Sequence, residues 1–570
     1  MNPKPFDAPP LSAAFAWQQW WQQVSFSPLR QVRLAELAVR SALRLALAGV
    51  DPLARGDADP AATPPGAGSP APASNDRRFE GPAWQQWPFN LYALGFAMQQ
   101  AWWREATQPL PGLPERDRRL VEFGARQLLE AASPANFPAT NPEVIESTLR
   151  EHGSNLLRGG ANLFDDLLRL QRREPPPGAE AFEVGKTVAA TPGQVVYRNR
   201  LIELIQYRPQ TPAVQAEPLL IVPAWIMKYY ILDLSPANSL VDWLVKRGHT
   251  VFMVSWLNPD ARDRERSFED YLSDGVLAAL RTIGEIVPGR PVHAVGYCLG
   301  GTLLSIAAAA MARDGIDRIR TLSLFAAQTD FSAPGELDLF MDEAQLLWLE
   351  QQMAKTGYLD SRQMAAAFAL LRSGDLVWTR AVREYLLGRR APLNDLMSWN
   401  ADGTRMPARM HGEYLRALYQ RNDLAHGRFM VDGRPVSLAA IRVPVFMVAT
   451  VADHVAPWQS VYQLHRLTEA SITFALTTGG HNAGVVNPPP AGGEPARRHY
   501  QIATRPAGDT GATLDPQRWR DTTPSTAGSW WTPWQAWLAG HGSGETEPPP
   551  IGHDGLEYGR APGWYVRTRH

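Results

Sequence analysis

Cysteine is almost absent: Cys298 is the single one among 570 residues. That excludes an internal disulfide framework and a thiolate-built zinc site, and no metal-ligand cluster stands out. A lone free thiol suits the reducing cytosol. An excess of charge is also missing. The formal net charge is -1, so nothing electrostatic points to nucleic acid. No uninterrupted apolar run reaches the roughly 18–20 residues that a bilayer span requires, so no transmembrane segment is expected. Met1 to Pro10 has no basic start leading into an apolar stretch, and no secretory signal is expected. What is present is a chain that is 45% hydrophobic, enough for a sizeable core in several domains or in one large domain with insertions.

The chain falls into four stretches of different texture. Residues 1–50 read as an amphipathic helical extension. Trp17, Trp20, Trp21 and Val24 recur at helical spacing, and a second helix sets Val39, Leu43, Ala46, Leu47 and Val50 on one face, with Arg33, Arg40 and Arg44 elsewhere. Such faces pack on their own protein or adsorb to an apolar or lipid surface, and the pattern leaves both open. Residues 51–78, rich in Pro, Ala and Gly, read as a linker. Residues 79–180 read as a helical domain, closed by Pro175, Pro176 and Pro177. From 181 onward short apolar runs alternate with helices. Strands are expected at Gln194–Tyr197, Leu201–Tyr207, Leu219–Val222, Val251–Ser255, Val292–Val295, Leu322–Phe325, Val445–Ala449 and Ile472–Ala475. Continuous apolar strands between helices argue a mostly parallel sheet covered on both faces. A helical stretch at about 334–425 interrupts the alternation and reads as a cap inserted over the strand ends. The tail from Gly492 is rich in Gly and Pro, with an aromatic island at Trp530, Trp531, Trp534 and Trp537.

The chemistry centres on Val292 to Gly301. An apolar strand runs into Gly296-Tyr297-Cys298-Leu299-Gly300 and then into a small-residue helix. This is the nucleophile-elbow pattern of the α/β-hydrolase fold, with cysteine in place of serine. The glycines clear space around a strained turn, and the Leu299 N–H at the helix start can stabilise an oxyanion. A thiol of ordinary pKa needs a base. His481, just past the last expected strand and flanked by Gly479 and Gly480, is the candidate. His293 lies on the strand into the elbow and reads as structural, while His454, His541 and His553 lack the placement. Asp453, after the strand at Val445, is the candidate acid, with Asp330 as runner-up. The order Cys298, Asp453, His481 is the fold's order of nucleophile, acid and base. The loop after Leu219–Val222 should bring a second oxyanion donor, taken as the Ile226 N–H.

These residues sit within a longer series. Ser133–Asn136 with Thr140–Glu143, Lys228–Leu234, Val254–Asp260, Gly296–Gly301, Asn394–Asn400, Asp453–Trp458, Gly480–Pro488 and Gly528–Trp531 occur in order. With them the chain resembles the polyhydroxyalkanoate synthases, class I in type, from about Asp76 onward. The resemblance implies that Cys298 is acylated by a (R)-3-hydroxyacyl-CoA with release of CoA, and that a polyester then grows by attack of a 3-hydroxyl on a thioester. The CoA thioester is substrate, and no cofactor is implied. Asp453 would orient His481 or help to activate the hydroxyl, and Asp233 would be a supporting aspartate. The family also implies a homodimer, cytoplasmic and associated with storage granules. The loop Pro223-Ala224-Trp225-Ile226-Met227 departs from the family's usual wording there. Two other functions stay in view: a cysteine acyl hydrolase on the same fold, and a granule scaffold held by the aromatic N-terminal helices.

Overall fold

The computed structural model describes residues 11–50 and 76–569, apart from positions 491, 493, 494, 554, 556 and 557. Most of the expected linker, 51–75, lies outside the described residues. Two units result: a helical one of residues up to Pro175 together with Ala366–Pro392, and an α/β one of Pro176–Ala365 and Leu393–His570.

The helical unit contains α1 (Leu11–Ser25), α2 (Pro28–Val50), α3 (Phe89–Ala106), α4 (Glu115–Ala132), α5 (Pro142–Arg150) and α6 (Ser154–Arg172). Trp20 is buried, and its indole N–H donates to the Ala106 carbonyl at 2.9 Å. Trp17 packs edge-on against both Trp20 and Trp103. The first two helices are therefore part of this unit rather than a separate extension. Their faces also differ from expectation. Trp21 is exposed, and on α2 it is Leu34 that is buried while Val39, Leu43 and Leu47 face outward. The expected cap at 334–425 is likewise divided. Its middle, Ala366–Pro392, joins α6 through polar anchors. The Asp166 carboxylate accepts from Arg380 at 3.0 Å and from the Tyr385 hydroxyl at 2.8 Å, and the Asn155 amide donates to the Leu386 carbonyl at 2.9 Å.

The α/β unit is built on a ten-stranded sheet. Its strands are β1 (Gly193–Arg198), β2 (Ile202–Tyr207), β3 (Leu219–Val222), β4 (Val251–Trp256), β5 (Val292–Tyr297), β6 (Ile319–Phe325), β7 (Val445–Thr450), β8 (Ile472–Thr477), β9 (His499–Arg505) and β10 (Ser525–Ala527). They lie in the order β1-β2-β4-β3-β5-β6-β7-β8-β9-β10. Strands β3 to β8 run parallel, and the outer pairs at both edges are antiparallel. Every residue of β3, β4, β5, β7 and β8 is buried. Strands covered on both faces cannot alternate apolar with polar, and this is why they read as continuous apolar runs. Helix α7 (Leu299–Arg313) packs behind β5 with Leu299 to Met311 all buried; its small side chains allow the close approach. Among the described residues no helix is long and apolar enough to cross a membrane.

Candidate active site

Backbone crowding builds the elbow. Between β5 and α7 the chain turns at Cys298 with φ 53° and ψ -127°. A non-glycine residue there carries strain of order 1–3 kcal/mol and persists only where its surroundings over-determine it. Here the Cys298 N–H donates to the Phe325 carbonyl of β6 at 2.8 Å. A Cβ on Gly296 would overlap the Gly301 backbone, and one on Gly300 would overlap the Val222 and Pro223 carbonyl oxygens. Both positions demand glycine because other backbone fills the space. The Cys298 side chain is left 8% exposed, at the C-terminal ends of the parallel strands.

His481 opens a short helix, α8 (His481–Val485), immediately past β8, and Asp453 lies in the turn after β7. The His481 Nδ1 is 2.7 Å from Asp453 Oδ2. Cys298 lies close enough to the imidazole to act on its charge. Asp453 is fixed in turn. Its Oδ1 accepts the N–H groups of Val455 at 2.9 Å and Ala456 at 2.8 Å, and Oδ2 also takes the Thr450 hydroxyl at 3.2 Å. Burial opposes charge on the imidazole. The Asp453 carboxylate and Cys298 outweigh that, and hold the His481 pKa well above its ordinary 6.5.

The aromatic island of the tail supports this histidine. The indole N–H groups of Trp530 and Trp531 donate to the Gly484 and Val485 carbonyls, each at 3.0 Å, satisfying carbonyls at the end of α8. Trp534 donates to the Ser323 hydroxyl of β6 at 2.9 Å. From the elbow, the Tyr297 hydroxyl donates to the Asn482 side chain at 2.6 Å.

The loop after β3 runs beside the start of α7. Three of its carbonyls are engaged from the 399–404 segment: Trp225 accepts the Thr404 hydroxyl at 2.5 Å, Ile226 the Thr404 N–H at 3.1 Å, and Lys228 the Trp399 indole at 2.7 Å. The N–H groups of Ile226 and Leu299 have no hydrogen-bond acceptor among the described residues. Two residues not singled out in the sequence also belong here. Tyr414 and Tyr419 pack edge to face with ring centroids 5.6 Å apart, and both feel the charge of Cys298. Burial first, then the charge of Cys298, pushes Tyr419 up to about 12, against an opposing contribution from Tyr414. Both tyrosines come from the helical interruption at 334–425, where a hydrophobic helix pattern does not distinguish a wall of the site from ordinary core.

The remaining candidates lie apart. Asp330 accepts from Asn422 at 2.9 Å and from the Ser332 N–H at 2.8 Å, not from a histidine. His293 is buried against Thr321 at 2.7 Å, and burial lowers its pKa to about 4. His541 contacts the Trp537 carbonyl and His553 pairs with Glu285. Asp233 is buried among the hydroxyls of Thr191, Ser239 and Tyr207, at 2.5, 2.7 and 3.2 Å. Those partners are not triad residues, so its support is of the surrounding core.

Strand order, elbow and the placement of the imidazole define a protein of the α/β-hydrolase fold. The comparisons agree and go further. A model of the alpha/beta hydrolase fold matches residues 217–488, and one of the poly-beta-hydroxybutyrate polymerase (PhaC) N-terminus matches residues 75–244. The poly(3-hydroxyalkanoate) polymerase of Methylorubrum extorquens is 40% identical over 87% of this chain and 82% of its own length. The polymerase subunit PhaC of Cupriavidus necator is 36% identical over 87% and 83%. Among solved structures, the Paleococcus ferrophilus monoacylglycerol lipase aligns at 13% identity over 60% of this chain and 99% of that one, with a TM-score of 0.32. The chain belongs to the poly(3-hydroxyalkanoate) polymerase family, acyltransferases on an α/β-hydrolase scaffold.

Proposed function

We propose that this chain polymerises (R)-3-hydroxyacyl units from their CoA thioesters through an acyl-Cys298 intermediate. The observation that carries the reading is the Asp453–His481 hydrogen bond beside Cys298. His481 takes the thiol proton, and the sulfur attacks the thioester carbonyl. The resulting oxyanion is received by the N–H groups of Leu299 and Ile226. The bond to CoA breaks, and CoA leaves with the proton held on His481. The 3-hydroxyl of another unit then attacks an acyl thioester while His481 takes its proton; the ester forms, the carbon–sulfur bond breaks, and the released sulfur takes the proton back. Exchange of one thioester for another is nearly balanced, so the enzyme's task is to position groups and exclude water. Tyr414 and Tyr419, packed edge to face near Cys298, suit that exclusion. Both oxygens of Asp453 are already engaged, which favours orienting His481 over activating a hydroxyl. No resident cofactor or metal is needed for these steps.

The test is incubation with (R)-3-hydroxybutyryl-CoA. Wild type yields CoA and insoluble polyester, and Cys298→Ala yields neither while keeping its fold. Free 3-hydroxybutyrate in place of polymer would overturn the polymerase reading in favour of hydrolysis, and full activity in Cys298→Ala would end the acyl-enzyme account. We further propose a cytoplasmic homodimer that sits on the growing polyester granule through the outward residues of α2. Replacing Val39, Leu43 and Leu47 by serine should cut co-sedimentation with polyester particles several-fold and leave turnover of soluble substrate unchanged. Unchanged co-sedimentation would remove α2 from the contact.

A further inference from the structure

Lys228 is buried, 2% exposed, two residues beyond Ile226. Among the described residues its ammonium finds no carboxylate within hydrogen-bond distance. It donates instead to two backbone carbonyls, of Tyr565 at 3.1 Å and Thr568 at 2.8 Å. The same short segment is gripped from its other side by Glu203 of β2, also fully buried. The Glu203 carboxylate accepts the N–H groups of Trp564 at 2.8 Å and Tyr565 at 2.9 Å. Gly563, at φ 81°, allows the approach, since a Cβ there would overlap the Glu203 carboxylate. Asn258 adds a third tie, donating to the Thr568 carbonyl at 3.3 Å while accepting the Arg405 N–H at 3.0 Å.

A lysine buried against neutral carbonyls is a costly way to fill space, and an apolar side chain of similar length would be cheaper for stability. Burial lowers the amine to about 8, as expected of a charge held in dry surroundings. What the arrangement does supply is position. The loop carbonyls at 225, 226 and 228 are already fixed from one side, and the Lys228 side chain fixes the loop from the other.

We propose that residues 563–568 are a strut, clamped between Glu203 and Lys228, that sets the position of the Ile226 N–H. Lys228 is then a positioning residue for the reaction. The proposal rests on the acyl-enzyme reading above.

Two reactions of Cys298 separate this role from a merely structural one. Acylation by (R)-3-hydroxybutyryl-CoA passes through an oxyanion. Alkylation by iodoacetamide only displaces iodide from carbon and needs no oxyanion donor. In the full-length Lys228→Met variant the single-turnover acylation rate should fall tenfold or more, with alkylation within twofold of wild type. Acylation at the wild-type rate would overturn the strut, as would equal slowing of both reactions. Gly563→Ala, which pushes the segment off Glu203, should give the same split and decides the matter if Lys228→Met does not fold. A wild-type protein that is alkylated at Cys298 but never acylated would remove the acyl-enzyme reading itself, a failure visible without any variant.

Discussion

The two units treat the same apolar residue types in opposite ways. In the α/β unit, β3, β7 and β8 bury every side chain they carry. In the helical unit, α6 leaves Leu157, Phe164, Leu167 and Leu170 exposed, Phe164 by 65%. Its attachment to Ala366–Pro392 is polar instead, through Asp166 and Asn155. A reaction centre needs atoms held to a fraction of an ångström, so it stands where close packing leaves no alternative arrangement. Exposed apolar helix faces tolerate change and remain available to an apolar partner.

The comparison breaks most visibly at the elbow. Gly300→Ala places a carbon on two carbonyl oxygens of the β3 loop, and neither belongs to a side chain that could swing away. Destabilisation of about 3 kcal/mol or more is expected, with loss of CoA release. Thermal melting and a CoA assay on the same preparation check it. A stable, active Gly300→Ala protein would mean that the turn relaxes far more easily than the packing implies.

Legibility followed the same division. The central strands were readable because complete burial leaves a continuous apolar run, and Leu219–Val222 fell at its observed bounds. The elbow and its partners were readable because the chemistry demands glycine, cysteine, aspartate and histidine in one chain order. Strands β9 and β10 were not. β10 is the edge strand and β9 the next one in, both with mostly partial or no burial, so they carry little pattern within a Gly- and Pro-rich tail. Whether the α2 face is covered was left open because Val39, Leu43 and Leu47 make a fair apolar stripe, and the packed side runs through Leu34 instead. Periodicity reports that a helix has an apolar face, not whether protein covers it. The work of Trp530 and Trp531 was invisible because it depends on carbonyls some 46 residues away in the chain.

Complete burial also burdens the α/β unit with one carboxyl. Burial raises Asp233 from 3.8 to about 6, and its three hydroxyl donors only partly offset this. The folded state thus binds the proton more tightly than the unfolded chain. Its contribution is fully present below about pH 4 and is lost as pH rises through about 6, on the order of 3 kcal/mol in all. This runs against the usual acid sensitivity of carboxylates. In Asp233→Asn that component vanishes, so the gain in urea midpoint of variant over wild type should grow between pH 4.5 and 7. A difference independent of pH would show that Asp233 titrates at the same pH folded and unfolded.

The smallest effects come from two neighbouring glycines of α6, and they have opposite signs. Gly159 is buried, and a Cβ there would strike the Tyr385 carbonyl. Gly160 is exposed, and a Cβ there meets nothing within 4 Å. Both lie in the interior of the helix, where alanine is intrinsically favoured over glycine by about 0.5–1 kcal/mol. Gly160→Ala should realise that gain. Gly159→Ala should forfeit it and lose about 2 kcal/mol or more, because the backbone of Ala366–Pro392 must move. Chemical denaturation followed by tryptophan fluorescence resolves both. Equal gains from the two variants would mean that Ala366–Pro392 is held on α6 loosely enough to yield, and that the polar anchors at Asp166 and Asn155 fix its direction without fixing its distance.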